Sequence, residues 1–448
     1  MIHDFTKGNL ISILIRFTLP LFLGNILQLT YNAVDSIIVG KFVSSTALAA
    51  VGTSNPIMTL VIMFVQGVTL GSGILIGNFF GAHHYDTMKR QISTAMISGT
   101  VFSAFMALLI VIFSEQLLRI LQVDPAVIPV AAGYLRIVGA GLIFNYIYNF
   151  FANTLRALGD SKSPLIFLAV SAALNIVGDL VLVVVFPMGI LGCAISTVLC
   201  EALSCLLCWI YIRRRVPLLN MGRQWLQFDW FMLKKTVQYG AVSAVQQSTV
   251  QLGIVGVQGQ VNTLGATATA SFAAANRIDD FALIPGRSIA NAMTSVMAQN
   301  MGAGEKKRVY QTFLIGMGIE IVFGVISGLL LLLLANPLMV LFTNDPEVIR
   351  EGEVYLHLIA LMYVLPAVTN GLQGYFRGVG DLKITLISSL INMGCRFASC
   401  YIYLHVLQLG IRAVPYACLT GWICMIIYEM PYLILFHRKM RKSDSETA

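Results

Sequence analysis

The sequence predicts an all-α polytopic membrane protein, with twelve transmembrane helices in two six-helix bundles related by a parallel internal repeat. Three observations predict it. Of the 448 residues, 57% are hydrophobic and 11% are charged, against about 25% charged in soluble domains, and mean hydropathy is +0.80. Uncharged runs long enough to cross roughly 30 Å of hydrocarbon recur along the chain. The chain also echoes itself at an offset of 221 residues. Asn55, Gly81, Asp124-Pro125, Tyr134, Arg156, Gly159-Asp160 and Gly189 return as Asn276, Gly302, Asp345-Pro346, Tyr355, Arg377, Gly380-Asp381 and Gly410. An offset held without drift marks a duplicated unit, far longer than a solenoid repeat of roughly 20–50 residues. The runs lack the alternation of a lipid-facing barrel strand, so the spans are helices.

The elements follow in order. Residues 17–34 are uncharged and, lacking a small-residue cleavage site, read as span one rather than a signal peptide. Pro20 bends that span. The uncharged run 42–85 exceeds one helix and includes turns; Pro56 interrupts it. Residues 91–114 and 137–155 supply spans three and four, and spans five and six turn near Pro187-Met188-Gly189. Arg213-Arg214-Arg215, Pro217, Gly222 and Arg223 make a basic linker at 213–233, between a first bundle (1–212) and a second bundle with a basic tail (234–448). The run 236–276 again includes a turn, Pro285 interrupts span eight, and runs 321–344 and 354–376 give spans nine and ten. Six spans per half is an even number, so both halves enter the membrane in the same direction and enclose a central cleft.

A net charge of +8 does not signal nucleic-acid binding, because its placement follows the membrane. With the N-terminus inside, the inner loops and tail collect nineteen cations, among them Lys89, Arg90, Arg213–Arg215, Lys306–Arg308, Arg438, Lys439, Arg441 and Lys442. The outer loops hold Lys41, Arg119, Arg350 and Arg412. This bias places both termini in the cytoplasm. The eight cysteines lie in apolar spans, which excludes a disulfide framework and a zinc site.

Charge inside the bilayer costs roughly 2.5–3.5 kcal/mol on insertion scales, so an intramembrane acid is a functional candidate. Asp35 follows eighteen uncharged residues, and Asp179 sits within Val177-Gly178-Asp179-Leu180-Val181. Asp179 and Thr197 lie nine residues on either side of Met188, about 13 Å from the turn along antiparallel helices. Asp35 lies at similar depth below the turn after span one. Asn175, at i−4 from Asp179, shares its face. Asp35, Asn175, Asp179 and Thr197 are oxygen donors of the kind a hard cation prefers, and two close carboxylates can equally share a proton. Asn145, Asn149 and Asn153 form a stripe on span four, Gln247 and Gln251 on span seven, with Gln28 and Tyr31 on span one and Asn370 on span ten. With Met63, Tyr146 and Phe150, these suit a roomy cavity for amphipathic organic cations; helix–helix hydrogen bonding is the rival use. Glu201, at i+4 from Thr197, flanks the same face. Arg277, Asp279 and Asp280 read as an internal ion pair.

The chain resembles the multidrug and toxic compound extrusion (MATE) family over essentially its whole length. The resemblance rests on Val34-Asp35-Ser36-Ile37-Ile38-Val39-Gly40, Asn78-Phe79-Phe80-Gly81-Ala82, Arg156-Ala157-Leu158-Gly159-Asp160, Ala274-Ala275-Asn276-Arg277-Ile278 and Gln299-Asn300-Met301-Gly302-Ala303-Gly304, in that order. It implies paired bundles that export drugs in exchange for Na⁺ or H⁺, from a bacterial cytoplasmic membrane, as a monomer with no cofactor; the partners are small organic cations and membrane lipid. Its DinF-like branch is similar in placing a cation site in the first bundle, at Asp35, Asn175, Asp179 and Thr197, with Pro20 as the bend and Gln28, Asn149 and Asn153 in the cavity. Another branch uses acids in spans seven and ten, where this chain has Gln246, Gln247, Gln251, Asn370 and Gln373. A second, C-terminal carboxylate site is therefore not expected on those spans.

Two other functions compete. An intramembrane aspartyl protease would use Asp35 and Asp179, but the Gly-x-Gly-Asp signature lacks its first glycine, and a protease gives no reason for the repeat. A lipid-linked oligosaccharide flippase of similar architecture would line its cleft with bases such as Arg277 and Arg287. The repeat itself is chemically uneven: Asp35 maps onto Gly256, and Asn175 finds Asn392 only after a four-residue slip.

Overall fold

The computed structural model describes the backbone from Ile2 to Ser445 and the side chains within it except those of Ser45, Thr46 and 437–445. The tail cations Arg438, Lys439, Arg441 and Lys442 lie outside the described side chains. Among the described residues every regular element is helical.

The first half runs α1 Leu10–Phe42, α2 Ser45–Gly81, α3 Tyr85–Ile120, α4 Ile128–Ala140, α5 Leu142–Ala157, α6 Lys162–Leu180 and α7 Gly189–Arg215. The second runs α8 Trp230–Val261, α9 Ala266–Gly302, α10 Lys306–Val340, α11 Pro346–Ala360, α12 Val364–Gly378, α13 Leu382–Tyr401 and α14 Ala413–Ser445. Helices α4 and α5 meet at 41°, and α11 and α12 at 56°, so each pair is one broken span. Seven further helices are long and apolar enough to cross a membrane. Helices α8, α9 and α13 complete the twelve; they are less apolar because they carry Gln246, Gln247, Gln251, Arg277, Asp279, Asp280, Arg287 and Arg396.

The repeat is structural as well as sequential. π-helical turns extend α6 at Val181–Val185 and α13 at Ile402–Val406. Gly159 and Gly380 adopt φ of +87° and +85°, and Gly189 and Gly410 adopt +60° and +58°. These pairs keep the 221-residue offset, so no four-residue slip is needed: in register, Arg396 stands for Asn175 and Cys400 for Asp179. The repeated Asp-Pro precedes a helix in both halves: Asp345 caps α11, accepting the Glu347 amide at 2.9 Å, and Asp124, in the turn before α4, accepts that of Ala126 at 2.8 Å.

Packing divides the chain into two units. One comprises the residues up to Lys7 with Leu19–Ala244; the other comprises Gly8–Thr18 with Val245 onward. Helix α1 thus changes unit beside Pro20, and α8 changes unit at Ala244. Helix α3 turns mainly small residues inward and large apolar residues outward. On α3, Gly99, Ser103, Ala107 and Ser114 are buried, while Val101, Phe105, Leu108 and Ile112 are exposed. The core of the first unit gathers Leu118, Leu135, Leu142, Phe150, Phe151 and Leu155; that of the second gathers Phe272, Leu331, Tyr355, Leu356 and Ile359. The basic linker packs on the first unit. Trp225 meets Trp209 and Phe151, and Ser93 Oγ donates to the Trp225 carbonyl at 2.8 Å.

Candidate functional site

Within the first unit, α1 and α6 bring Asp35 and Asp179 together, their carboxyls within hydrogen-bonding reach of one another. Asp179 is fully buried and Asp35 partly so. Neither forms an ion pair among the described residues, and Asp35 Oδ1 and Asp179 Oδ2 have no hydrogen-bond donor. Asn175, one turn before Asp179, reaches Asp179 Oδ1 with Nδ2 at 3.5 Å.

The hydroxyl that joins this group is not the one expected. Thr197 Oγ1 donates to the Cys193 carbonyl of its own helix at 3.0 Å. Its neighbour Ser196 turns toward α6 instead: its Oγ accepts from Asn175 Nδ2 at 3.2 Å, donates to the Asn175 carbonyl at 3.1 Å and also reaches Asp179. Gly178 makes the approach possible, since a Cβ there would stand 2.6 Å from Ser196 Oγ. Depth along the helix put Thr197 and Ser196 equally near Asp179. One residue is about 100° of rotation, and only the rotation separates them. The arrangement is two carboxylates, an amide and a hydroxyl in an apolar setting, able to hold one proton or one hard monovalent cation.

The amide stripe divides by use. Asn145 Nδ2 donates to Glu201 Oε1 at 2.7 Å, and Asn149 Nδ2 donates back to Asn145 Oδ1 at 3.1 Å. Asn153 Nδ2 donates to Thr69 Oγ1 of α2 at 2.9 Å, a helix–helix link. Gln28 and Tyr31 lie three residues apart on α1. Gln28, Tyr31, Asn145 and Asn149 remain partly exposed. Tyr146 and Phe150, expected beside them, face the other way; each is 1% exposed, because the helical rotation that turns Asn145 and Asn149 outward buries the next position.

In the second unit, Gln247 and Gln251 are partly exposed, whereas Gln246 is buried and donates to Gln373 Oε1 at 2.6 Å. Gln373 in turn donates to Glu429 Oε1 at 2.6 Å. Asn370 lines a small pocket with Glu320. The ion pair expected on α9 joins Asp280 to Arg287 at 3.2 Å rather than to Arg277, and Asp279 accepts the Tyr363 hydroxyl. Arg287 is thereby committed, which weakens the flippase reading. Among the described residues no cluster of three or more His, Cys, Asp or Glu side chains could hold a metal.

The MatE family profile matches residues 20–181 and again 243–402, once per repeat. A relative in Bacillus subtilis (strain 168), named "Probable multidrug resistance protein YpnP", is 30% identical over 391 residues, covering 87% of each chain. A Thermotoga maritima relative, named "Probable multidrug resistance protein NorM", is 24% identical and covers 94% of this chain and 91% of its own. A solved structure of a MATE protein in a bent conformation shares the fold, with a TM-score of 0.92 at 20% identity over 98% of each chain. An aspartyl protease has no place in this company. The chain belongs to the MatE family of multi-pass membrane transporters and is not an enzyme.

Proposed function

We propose that this protein is a secondary active multidrug exporter of the DinF-like kind, exchanging amphipathic organic cations for Na⁺ or H⁺ by rocking of its two bundles. The observation that carries the reading is the meeting of Asp35 and Asp179 inside an apolar bundle. Two carboxylates this close require a proton or metal cation between them. Asn175 and Ser196 hold the pair in place, and Thr197 is adjacent. The partly exposed amides Gln28, Asn145, Asn149, Gln247, Gln251 and Asn370 are the proposed contacts for an organic substrate, and Pro20 the bend that lets α1 respond. The names of the bacterial relatives support a drug substrate. The basic linker and both termini are placed in the cytoplasm by the charge bias, and the working unit is a monomer in a bacterial cytoplasmic membrane.

A ligand shifts a conformational equilibrium only by differential affinity. Coupling cation and drug must therefore favour different states of the two bundles. The test is efflux of a cationic dye from vesicles under an imposed Na⁺ gradient or an imposed pH gradient, each alone. At least one gradient drives export, and Asp35→Asn and Asp179→Asn each abolish it while inserting normally. Undiminished export by both variants would refute the assignment.

A further inference from the structure

The repeat sets Gly99 of α3 against Glu320 of α10, and Tyr146 of α5 against Ala367 of α12. In the first unit Tyr146 covers Gly99, so closely that a Cβ on Gly99 would stand 1.8 Å from the tyrosine oxygen. In the second unit the bulk is gone: alanine replaces the tyrosine, and a carboxylate replaces the glycine. A cavity of about 20 Å³ remains between α9, α10 and α12, walled in part by Pro285, Gly286, Glu320, Ser327, Tyr363 and Asn370. That is room for one water-sized occupant beside the carboxyl.

Glu320 is fully buried, and among the described residues neither of its carboxyl oxygens has a hydrogen-bond partner of good geometry. Glu320 Oε2 and Asn370 Nδ2 each lie 3.0 Å from where a Gly286 Cβ would be, so Gly286 keeps the space between them open. Ser327 Oγ, farther along the same wall, donates to the Ala282 carbonyl at 3.4 Å. The groups facing Glu320 are the Ala290 amide on α9 and Arg377 on α12; Arg377 also faces Glu429 on α14. None forms an ion pair with it among the described residues. The Tyr363 hydroxyl is committed to Asp279. An ionised carboxylate buried without a partner is costly, so this one calls for a neutralising cation.

We propose that Glu320 is the centre of a second site for one monovalent cation, H⁺ or Na⁺, on helices separate from those of Asp35 and Asp179. It stands independently of the exchange mechanism. The test starts from purified full-length protein carrying Asp35→Asn and Asp179→Asn, which silences the first pair. Proton uptake after a pH step without Na⁺, and Na⁺ titration by calorimetry at fixed alkaline pH, are compared with and without Glu320→Gln. The expected result is about one cation per protein in the background, lost on adding Glu320→Gln, in the proton arm or in the Na⁺ arm. Equal binding in both arms overturns the proposal. A second measurement needs no substitution. A hydrophobic carbodiimide modifies buried protonated carboxyls, and mass spectrometry of the wild-type protein reads its attachment to Glu320. Labelling that falls as pH rises or as Na⁺ is added supports the site; labelling that is absent or indifferent to both overturns it.

Discussion

Ser196→Ala is expected to weaken cation binding more than Thr197→Ala. The substitution removes an oxygen that accepts from Asn175 Nδ2 at 3.2 Å and donates to the Asn175 carbonyl at 3.1 Å. Asn175 then keeps only its 3.5 Å approach to Asp179 and loses the contact that aims it. One to two buried hydrogen bonds amount to about 1–2 kcal/mol, a roughly 5- to 30-fold change in affinity. Thr197 Oγ1 bonds only its own helix, at the Cys193 carbonyl, so Thr197→Ala should shift affinity less than about 2-fold, since that bond is local and readily replaced. The assay is dye exchange in vesicles as a function of the driving cation, read as the half-saturating concentration. A larger loss in Thr197→Ala than in Ser196→Ala would show that the wrong face of α7 has been assigned to the site.

Two further predictions concern packing and pH. Gly99→Ala would press a methyl into the Tyr146 phenol, whose hydroxyl donates to the Ala95 carbonyl at 2.7 Å. The overpacking should cost about 1–3 kcal/mol, seen as a lower unfolding temperature in detergent; an unchanged temperature would contradict the packing described. Asp160, in the turn before α6, accepts the Ser163 amide at 3.0 Å, the Ser163 hydroxyl at 2.7 Å and the Tyr211 hydroxyl at 2.7 Å. Burial opposes its ionisation, but these hydrogen bonds outweigh it and hold the carboxyl below the usual range. Its contribution is therefore complete above the ordinary aspartate value near pH 4 and is lost as pH falls below it. Asp160→Ala should destabilise by about 2–3 kcal/mol at neutral pH. The gap from wild type should narrow below about pH 4 in thermal unfolding; a gap that widens in acid would reverse the sign of the argument.

The fold was legible because membrane insertion writes itself into composition. Residues 17–34 and 321–344 could be nothing but apolar spans, and Asp124-Pro125 and Asp345-Pro346 could hardly recur in step by chance. The bends at Gly141 and after Ala360 were not legible, since an uncharged run looks the same straight or broken. At the first bend, a Cβ on Gly139 would meet Ile110 and one on Gly141 would meet Val198; those are tertiary contacts. The carboxylate pair was readable because charge in lipid is rare. Its hydroxyl partner was not, because depth follows from counting residues whereas azimuth follows from packing. Glu320 went unread for a related reason: its surroundings depend on what Ala367 fails to fill.

The division of α1 beside Pro20 and of α8 at Ala244 has a consequence for taking the protein apart. A cut in the 213–233 linker looks like a cut between two halves, yet it does not release two packing units. The front fragment would carry Gly8–Thr18, whose neighbours lie on the other fragment. The rear fragment would carry Trp230–Ala244, whose neighbours lie on the first. Each piece would hold an unpartnered stretch of helix and lack one it needs. Such fragments should be unstable when expressed singly and should recover when expressed together, each completing the other by exchange of a helix arm.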